Sequence, residues 1–469
     1  MRPNEPTLRR ALTLGEVAMF GLAYMTPLIV LGIFGIVSET TGGATAVAYA
    51  LALVAMLFTA FSYGKMAAVY PIAGSAYTYV RRTIDARAGF LVGWAVLLDY
   101  FFLPMVIWLI GGAYLSAQFP GVPSWVWIVA FITVTTTLNV IGIKVAARVN
   151  LLLMTFQITV LLFFVLLSIG YVAGSWGPGA VFDTAPFVNR ATTVSNVAAG
   201  AAIAAYAFLG FEAVTTLAEE TIEPERTIPR AILLTAFLGG MIFIVVAYFT
   251  QLVHPGGVFE NSSSAAFEIA RMIGSSLFGA VFLAGLVVAQ FASGLAAQAS
   301  TSRLLYAMGR DGVLPRKVFG YLYPRCRTPV FGLVITGATG LIALRLDMAT
   351  STSFINFGAF TTFAFVNFSV IALYFRERRA GRPLGVMPYV LAPAIGAAVN
   401  LWLLSQLDAH ALTLGLIWLG LGVIYLAYLT RMFRLPPPDL EFVEEAPITA
   451  GTGDDQPRFD DPSSWRRET

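Results

Sequence analysis

Apolar stretches of 18 or more residues recur along almost the whole chain of 469 residues. As a single helix, each stretch is long enough to cross the hydrocarbon core of a bilayer, which is roughly 30 Å thick. Hydrophobic residues make up 58% of the chain and charged residues only 12%, whereas soluble domains carry about 25% charged residues. The sequence therefore predicts an all-α, polytopic membrane protein that is embedded in the lipid bilayer.

We predict twelve membrane-spanning helices and no soluble domain of any size. Residues 1–12 are expected to form an N-terminal tail and residues 13–434 the membrane domain. Residues 435–469 are rich in proline and polar residues and are expected to form a disordered tail. The approximate bounds of the spans are 14–38, 44–69, 88–116, 123–142, 147–173, 195–220, 228–252, 275–309, 328–346, 350–374, 385–405 and 411–432.

The lysines and arginines predict how the chain is oriented. With the N-terminus inside the cell, all but three of the 29 basic residues fall in inward-facing loops, span ends or tails, the exceptions being Arg190, Arg271 and Arg345. Cytoplasmic loops of membrane proteins collect lysine and arginine. We therefore expect both termini to lie in the cytoplasm.

Two of the predicted spans are interrupted at matching positions. Span 1 contains Pro27 at mid-membrane, and span 6 contains Gly210. Glycine and proline are common in membrane helices, but exposed backbone at this depth is tolerated only where it lines a cavity or is buried in protein. Interruptions five helices apart are typical of transporters built from inverted repeats. We therefore predict that spans 1–5 and 6–10 are the two repeats, that spans 11 and 12 are additions, and that Pro27 and Gly210 are hinges.

Two carboxylates are predicted near the middle of the membrane. Glu212 follows the interruption of span 6, and Asp99 lies about ten residues, or roughly 15 Å, into span 3. A charged side chain at that depth costs about 2.5–3.5 kcal/mol to insert and is a functional-site candidate by default. The sequence places no lysine or arginine at mid-membrane to neutralise these acids, so they favour a cation or a proton. The alternative is that either acid stays protonated and hydrogen-bonds to backbone at a helix break.

Aromatic side chains accompany both acids. Aromatic faces attract organic cations, so these residues are candidates for a wall of the binding site, although for any single one of them ordinary packing is the better explanation. The aromatic candidates are Tyr24, Tyr100, Tyr206, Phe208 and Phe211.

From about residue 8 to residue 434 the chain resembles the amino acid–polyamine–organocation transporter superfamily, and within it the bacterial putrescine importers. Two of the matching stretches, AGSAYTY and GFE, are shared widely across that superfamily, whereas LLDYFFLPM and RLLYAMGRDGVLP resemble the putrescine group more narrowly. The stretches that carry the resemblance are GLAYMTP, FTAFSYGKM, YPIAGSAYTYV, VGWAVLLDYFFLPM, FLGFEAVTTLAEET, FASGLAAQASTSRLLYAMGRDGVLP and INFGAFTTFAFVN.

The resemblance implies a leucine-transporter-type core in the bacterial inner membrane, with substrate held between the breaks of spans 1 and 6. On that expectation Asp99 and Tyr100 approach from span 3. The residues implied on the two facing walls are Tyr24, Met25 and Thr26 on one side and Phe208, Gly210, Phe211 and Glu212 on the other.

Proton-coupled members of the superfamily often carry a lysine in span 5, where this chain has Gln157. An amide does not release a proton near neutral pH, so Gln157 is a candidate for a coupling or second site of another kind. If protons are coupled, Glu212 or Asp99 is the expected carrier. A dication already gains about 4.6 kcal/mol from a potential of 100 mV, so coupling is not required for accumulation.

Other functional classes fit the sequence less well. An enzyme needs a nucleophile or metal cluster, but His254, His410 and Cys326 are isolated in different loops. We expect no metal, no cofactor and, with a net charge of only +3, no nucleic-acid partner. The prediction is a secondary transporter that imports a small organic cation, putrescine or a related polyamine. The alternative is a neutral or broad-specificity amino acid permease, in which backbone amides at the breaks meet the substrate carboxylate.

Overall fold

A computed structural model describes residues 10–71, 75–141, 147–310, 313–323 and 328–437. Cys326 and nearly all of the two predicted tails lie outside these residues. In the described ranges the only β-structure consists of two isolated bridges. Eleven helices there are long and apolar enough to cross a membrane, and a twelfth apolar helical segment, Val330–Leu344, is shorter. The predicted all-α, polytopic architecture is confirmed.

The helices follow the predicted order of spans. Span 1 comprises Leu14–Met25, Ile29–Gly32 and Phe34–Thr41, and span 6 comprises Val194–Ala204, Ala205–Phe208 and Phe211–Glu219. The other spans are Thr45–Val69 (span 2), Ala86–Gln118 (span 3), Ser124–Ile141 (span 4), Ala147–Trp176 (span 5), Pro224–Val253 (span 7), Ala265–Arg310 (span 8), Val330–Gly340 with Leu341–Leu344 (span 9), Met348–Arg379 (span 10), Met387–Leu391 with Ala392–Ser405 (span 11) and Ala409–Leu429 (span 12).

Span 1 is broken where the sequence predicts. Its first helix ends at Met25, and Thr26 then adopts a left-handed conformation with φ 49°. Pro27 follows and has no backbone N–H to continue the helix. A single turn leads to a second irregular residue, Ile33, before the last helix begins at Phe34. Backbone groups at mid-membrane are thereby released from helical hydrogen bonding.

Span 6 is broken in a different way. Its first helix tightens into a 3₁₀ turn that ends at Phe208, and the helix stops at Leu209 and Gly210, where Gly210 has φ 111°. Beyond the break the chain continues as a 3₁₀ helix, Phe211–Glu219. The interruption at Gly210 is confirmed, whereas the 3₁₀ geometry of the second half was not predicted.

Span 8 begins ten residues earlier than predicted. Non-helical backbone at Gly274 and Ser275 divides it, and the predicted start at residue 275 corresponds to this break. The preceding helical segment is amphipathic only in part, and Ala265 and Phe267 are buried inside the protein. The hydropathy pattern does not predict this segment as a separate helix, because residues that are buried against protein and residues that face lipid are equally apolar.

The spans pack through small residues and paired aromatic side chains. Span 2 lies along span 7, and span 3 packs against spans 8 and 10. Glycines at such contacts let helices approach closely. Span 12 is fastened to span 3 by Trp94 and Trp418, whose indole N–H groups each donate to the other residue's carbonyl oxygen at 2.9 Å, with ring centroids 5.0 Å apart. Span 12 is therefore an integral part of the bundle.

The face of the bundle at which span 1 begins and span 6 ends is here called the terminus face. At this face the start of span 1 is hydrogen-bonded to the end of span 6. The backbone N–H of Ala11 donates to the carbonyl of Glu220 at 2.8 Å, and the N–H of Ile222 donates to the carbonyl of Leu12 at 3.0 Å. These bonds form an isolated parallel bridge between Leu12 and Thr221, here called the 12–221 bridge.

At the opposite face, here called the far face, span 1 is covered by the segment between spans 7 and 8. Phe34 is fully buried, and a Cβ atom added at Gly35 would collide with the carbonyl oxygen of Ser262. The hydroxyl of Ser38 donates to Oε1 of Gln251 on span 7 at 2.7 Å. The far-face half of span 1 is therefore held tightly in the protein interior.

Candidate functional site

The breaks of spans 1 and 6 meet each other at mid-membrane. Gly210 lies directly beneath Tyr24, and a Cβ atom at position 210 would collide with the Tyr24 ring and lie 3.3 Å from its carbonyl carbon. The φ of Gly210 is also one that other residues adopt only with strain. Both observations explain why the chain has glycine at this point, and they place the predicted hinge at the contact between the two broken spans.

Glu212 is bonded to the backbone at the break of span 6. The N–H of Gly210 donates to Oε2 of Glu212 at 3.1 Å, and the hydroxyl of Thr215 donates to the Glu212 carbonyl at 2.8 Å. A carboxylate near the N-terminal end of a helix is stabilised by the exposed N–H groups there. Glu212 therefore makes the hydrogen bond to backbone at a helix break that the alternative interpretation of this acid expects. Its side chain is nevertheless only half-buried.

Asp99 approaches the same break from span 3. Its side chain is half-buried and lies near enough to the Tyr206 hydroxyl for a direct electrostatic interaction. Tyr206 belongs to the 3₁₀ turn just before the span 6 break. Asp99 is therefore near the residue that precedes this break, and Glu212 is bonded to the break itself.

The remaining predicted residues fall into two groups. Tyr24, Thr26 and Tyr100 are half-buried. Two other aromatic candidates are wholly buried in packing: Phe208 lies edge-on to Phe243 with centroids 5.2 Å apart, and Phe211 lies 5.5 Å from Phe363. In this conformation neither Phe208 nor Phe211 is exposed, so neither ring is accessible to a substrate.

Met25 and Gln157 are also buried. The terminal methyl of Met25 packs on Gly239 of span 7, so this side chain points away from the space between the breaks. Gln157 is 8% exposed, and its Oε1 atom makes no hydrogen bond to any described residue. A buried carbonyl oxygen of this kind suits a water molecule or a cation, and its role in coupling stays a prediction.

Polar side chains from neighbouring spans satisfy backbone groups that the breaks release. Asn356 on span 10 donates from Nδ2 to the carbonyl of Ala202 at 2.7 Å, and the Tyr114 hydroxyl on span 3 donates to the carbonyl of Leu31 at 2.5 Å. Carbonyls at helix ends need such partners in a membrane. Sequence analysis assigned no role to either residue, although a buried asparagine in an apolar span is a visible signal for Asn356.

The hydroxyl of Thr301 provides a similar contact next to Asp99. Thr301 lies on span 8, is fully buried, and donates to the carbonyl oxygen of Tyr100 at 2.5 Å. Sequence analysis did not single out this residue, because threonine is unremarkable in a membrane span. Only the tertiary structure shows which carbonyl it reaches.

Comparison with known proteins agrees with this architecture. Over residues 16–405 the chain matches the family model described as amino acid permease. It is 41% identical over 438 residues to the low-affinity putrescine importer PlaP of Escherichia coli (strain K12), covering 93% of this chain and 97% of that protein. Similarity to two proteins of Bacillus subtilis (strain 168) is lower. The methylthioribose transporter is 25% identical, with 90% of this chain and 94% of that protein covered, and the branched-chain amino acid permease BcaP is 24% identical, with 92% and 96% covered.

The family match spans both broken helices and every residue of the candidate site. These findings identify the chain as a multi-span membrane transporter of small molecules and not an enzyme. The chain belongs to the amino acid permease family.

Proposed function

We propose that the chain imports a small organic cation, putrescine or a related polyamine, across the bacterial inner membrane by alternating access. The observation that supports the proposal is that two half-buried carboxylates accompany the break in span 6: Glu212 is bonded to Gly210, and Asp99 interacts with Tyr206. The name of the Escherichia coli relative supports the choice of substrate.

The two acids have distinct roles in this proposal. Asp99 accepts hydrogen bonds from one ammonium group of the diamine, and Glu212, held in place by the Gly210 N–H, compensates the second. Charge-assisted hydrogen bonds of this kind are stronger than those between neutral groups. Tyr24, Tyr100 and Tyr206 flank the four-carbon chain and attract the cation through their ring faces.

The broken spans provide the moving parts. Thr26 and Pro27 on span 1 and Gly210 on span 6 separate helical halves that hinge about these residues. We place both termini, and therefore the terminus face, in the cytoplasm, because most lysines and arginines fall on that side. On this orientation the far face is extracellular. Coupling to protons, if it occurs, uses Asp99 or Glu212 and not Gln157.

A neutral amino acid substrate is the second candidate function. It is favoured by the similarity to the branched-chain amino acid permease BcaP and by the backbone groups that the breaks of spans 1 and 6 expose. An α-carboxylate would bind backbone N–H groups there. In that case Asp99 would have no ammonium to compensate beyond the single α-amino group.

The Asp99→Asn variant distinguishes the two candidates. Asparagine keeps the shape of the side chain and removes its charge, so we expect the KM for putrescine to rise at least about thirtyfold, the equivalent of about 2 kcal/mol. Uptake of radiolabelled putrescine and alanine is measured in proteoliposomes. Strong alanine uptake by the unchanged chain, with no putrescine uptake, would refute the polyamine proposal.

A further inference from the structure

Span 3 contains a proline one turn beyond Asp99 and Tyr100. Pro104 lies inside the helix Ala86–Gln118. In an α-helix the N–H of residue 104 would donate to the carbonyl of residue 100, but proline has no N–H. The carbonyl of Tyr100 therefore does not receive the hydrogen bond that a regular helix would supply from residue 104.

Thr301 on span 8 supplies a donor to this carbonyl. Its hydroxyl lies 2.5 Å from the Tyr100 carbonyl oxygen and 2.8 Å from the carbonyl of Ala297 in its own helix. A hydroxyl has one hydrogen, so the two carbonyls share this donor in a three-centre hydrogen bond. The second contact is the usual one of a helical threonine with the residue four positions earlier. The first is a contact between spans, and it reaches the peptide that follows Asp99.

We infer that Thr301 is a positioning residue for the substrate site. Its hydrogen bond replaces the one that Pro104 removes and so fixes the peptide plane of Tyr100. Because Asp99 and Tyr100 project from this same stretch of helix, the bond sets the direction in which the carboxylate and the phenol approach the span 6 break. This inference rests on the proposed role of Asp99 in binding the substrate.

The geometry also links span 8 to the site. Any movement of span 8 relative to span 3 must stretch or break the bond from Thr301 to Tyr100. Thr301 itself is fully buried, and its hydroxyl reaches the site through this carbonyl. Its contribution is therefore to affinity and orientation and not to direct contact with the substrate.

The test uses a double-mutant cycle of Thr301→Val and Pro104→Ala. Valine has the shape of threonine without its hydroxyl, and alanine at position 104 restores a backbone N–H. Removing the hydroxyl takes one buried hydrogen bond away from the Tyr100 carbonyl, so we expect Thr301→Val alone to raise the KM about tenfold. In the Pro104→Ala background the same change has little effect, because the helix then supplies the donor.

Two controls separate positioning from a general loss of stability. Thr301→Ser keeps the hydroxyl, and we expect it to bring the KM back to within about twofold of the unchanged chain. Thr250→Val removes a buried hydroxyl that bonds only within its own helix, to the carbonyl of Val246. We expect that variant to leave the KM unchanged, with any effect confined to melting temperature.

An unchanged KM for Thr301→Val, or equal effects of Thr301→Val with and without Pro104→Ala, would overturn the inference. If Pro104→Ala abolishes uptake, the inference is tested by comparing Thr301→Val with Thr301→Ser. Equal KM values for these two variants would refute the positioning role of Thr301. All variants are assayed with putrescine and alanine. If the unchanged chain transports alanine and not putrescine, the proposed function is wrong. The same double-mutant cycle, measured with alanine as the substrate, would still test the role of Thr301.

Discussion

Glu212 combines a structural contact with the position of a candidate ligand. Its Oε2 atom accepts the Gly210 N–H at the break, and its side chain remains half-buried beside the space that Asp99 also approaches. The two interpretations of this acid that the sequence left open are therefore compatible. A carboxylate has two oxygens and several lone pairs, so one oxygen can hold the backbone while the group as a whole compensates a cation.

Substitution of Glu212 separates these two roles. Glu212→Gln retains an acceptor for the Gly210 N–H but removes the charge, so we expect putrescine uptake to fall about thirtyfold while the melting temperature changes little. Glu212→Ala removes both, and leaving the buried N–H without an acceptor costs about 1–3 kcal/mol of stability. Uptake assays and thermal unfolding in detergent check these outcomes. Full uptake by the glutamine variant would restrict Glu212 to its structural contact.

At the residue scale, the sequence singles out candidate site residues but not the direction of each side chain. Asp99, Glu212 and Gly210 were found because a charge or a break in an apolar span is visible in the sequence. Phe208 and Phe211 were placed on the wall because they neighbour these residues. Their burial could not be foreseen, since a 3₁₀ helix turns about 120° per residue instead of 100° and a break resets the phase of the helix.

At the scale of elements, the terminus-face halves of spans 1 and 6 form one unit. The 12–221 bridge joins their ends. Between the bridge and the breaks, Gly21 packs so tightly that a Cβ atom there would lie 2.6 Å from Val214 of span 6 and 2.7 Å from Thr235 of span 7. Hydrogen bonds at one end and close packing along the length leave little room for independent movement. We therefore expect these two halves to move together during transport.

A disulfide across the 12–221 bridge tests this expectation. Leu12→Cys and Thr221→Cys are introduced together in a chain with Cys326→Ser, so that no native thiol interferes. Because the two positions stay adjacent if the halves move together, we expect the oxidised protein to keep most of the putrescine uptake of the reduced one. Each single-cysteine chain serves as the control for oxidation alone. Loss of uptake on oxidation and recovery with reductant would show that the two halves must separate.

The order of the spans was predictable because eleven of them leave a long apolar run in the sequence, and the twelfth, Val330–Leu344, leaves a shorter one. The break in span 1 was predictable because Pro27 lies in its middle. The break at Gly274 and Ser275 was not, since a serine with positive φ leaves no pattern in hydropathy. The fastening of span 12 to span 3 through Trp94 and Trp418 was equally hidden. It depends on which helices become neighbours, and sequence periodicity does not determine that.

At the scale of the whole molecule, the two faces differ in how they cover the site. The far-face half of span 1 is buried, with Val30, Leu31 and Phe34 fully shielded. The terminus-face half has Val17 and Met25 buried and Met19 50% exposed. The burial of the far-face half covers the site from that side. For the site to open to the far face, contacts such as the bond between Ser38 and Gln251 must break.

The charge of the proposed substrate predicts which force drives its import. Each elementary charge that moves inward across 100 mV gains about 2.3 kcal/mol, so a dication gains about 4.6 kcal/mol, or a thousandfold or more in accumulation. We expect an inside-negative potassium diffusion potential to accelerate putrescine uptake in proteoliposomes without any pH gradient. If alanine is also carried, its uptake should respond weakly, because a zwitterion carries no net charge.

Proton coupling makes a different prediction for the same vesicles. If Asp99 or Glu212 had to carry a proton with each diamine, an inward proton gradient would drive uptake at zero potential, and the Asp99→Asn or Glu212→Gln variant would lose that response. With voltage alone as the driving force, dissipating the pH gradient leaves uptake unchanged and collapsing the potential removes accumulation. Uptake that follows the pH gradient and ignores the potential would therefore contradict the voltage-driven mechanism and assign one of the two carboxylates to proton transfer.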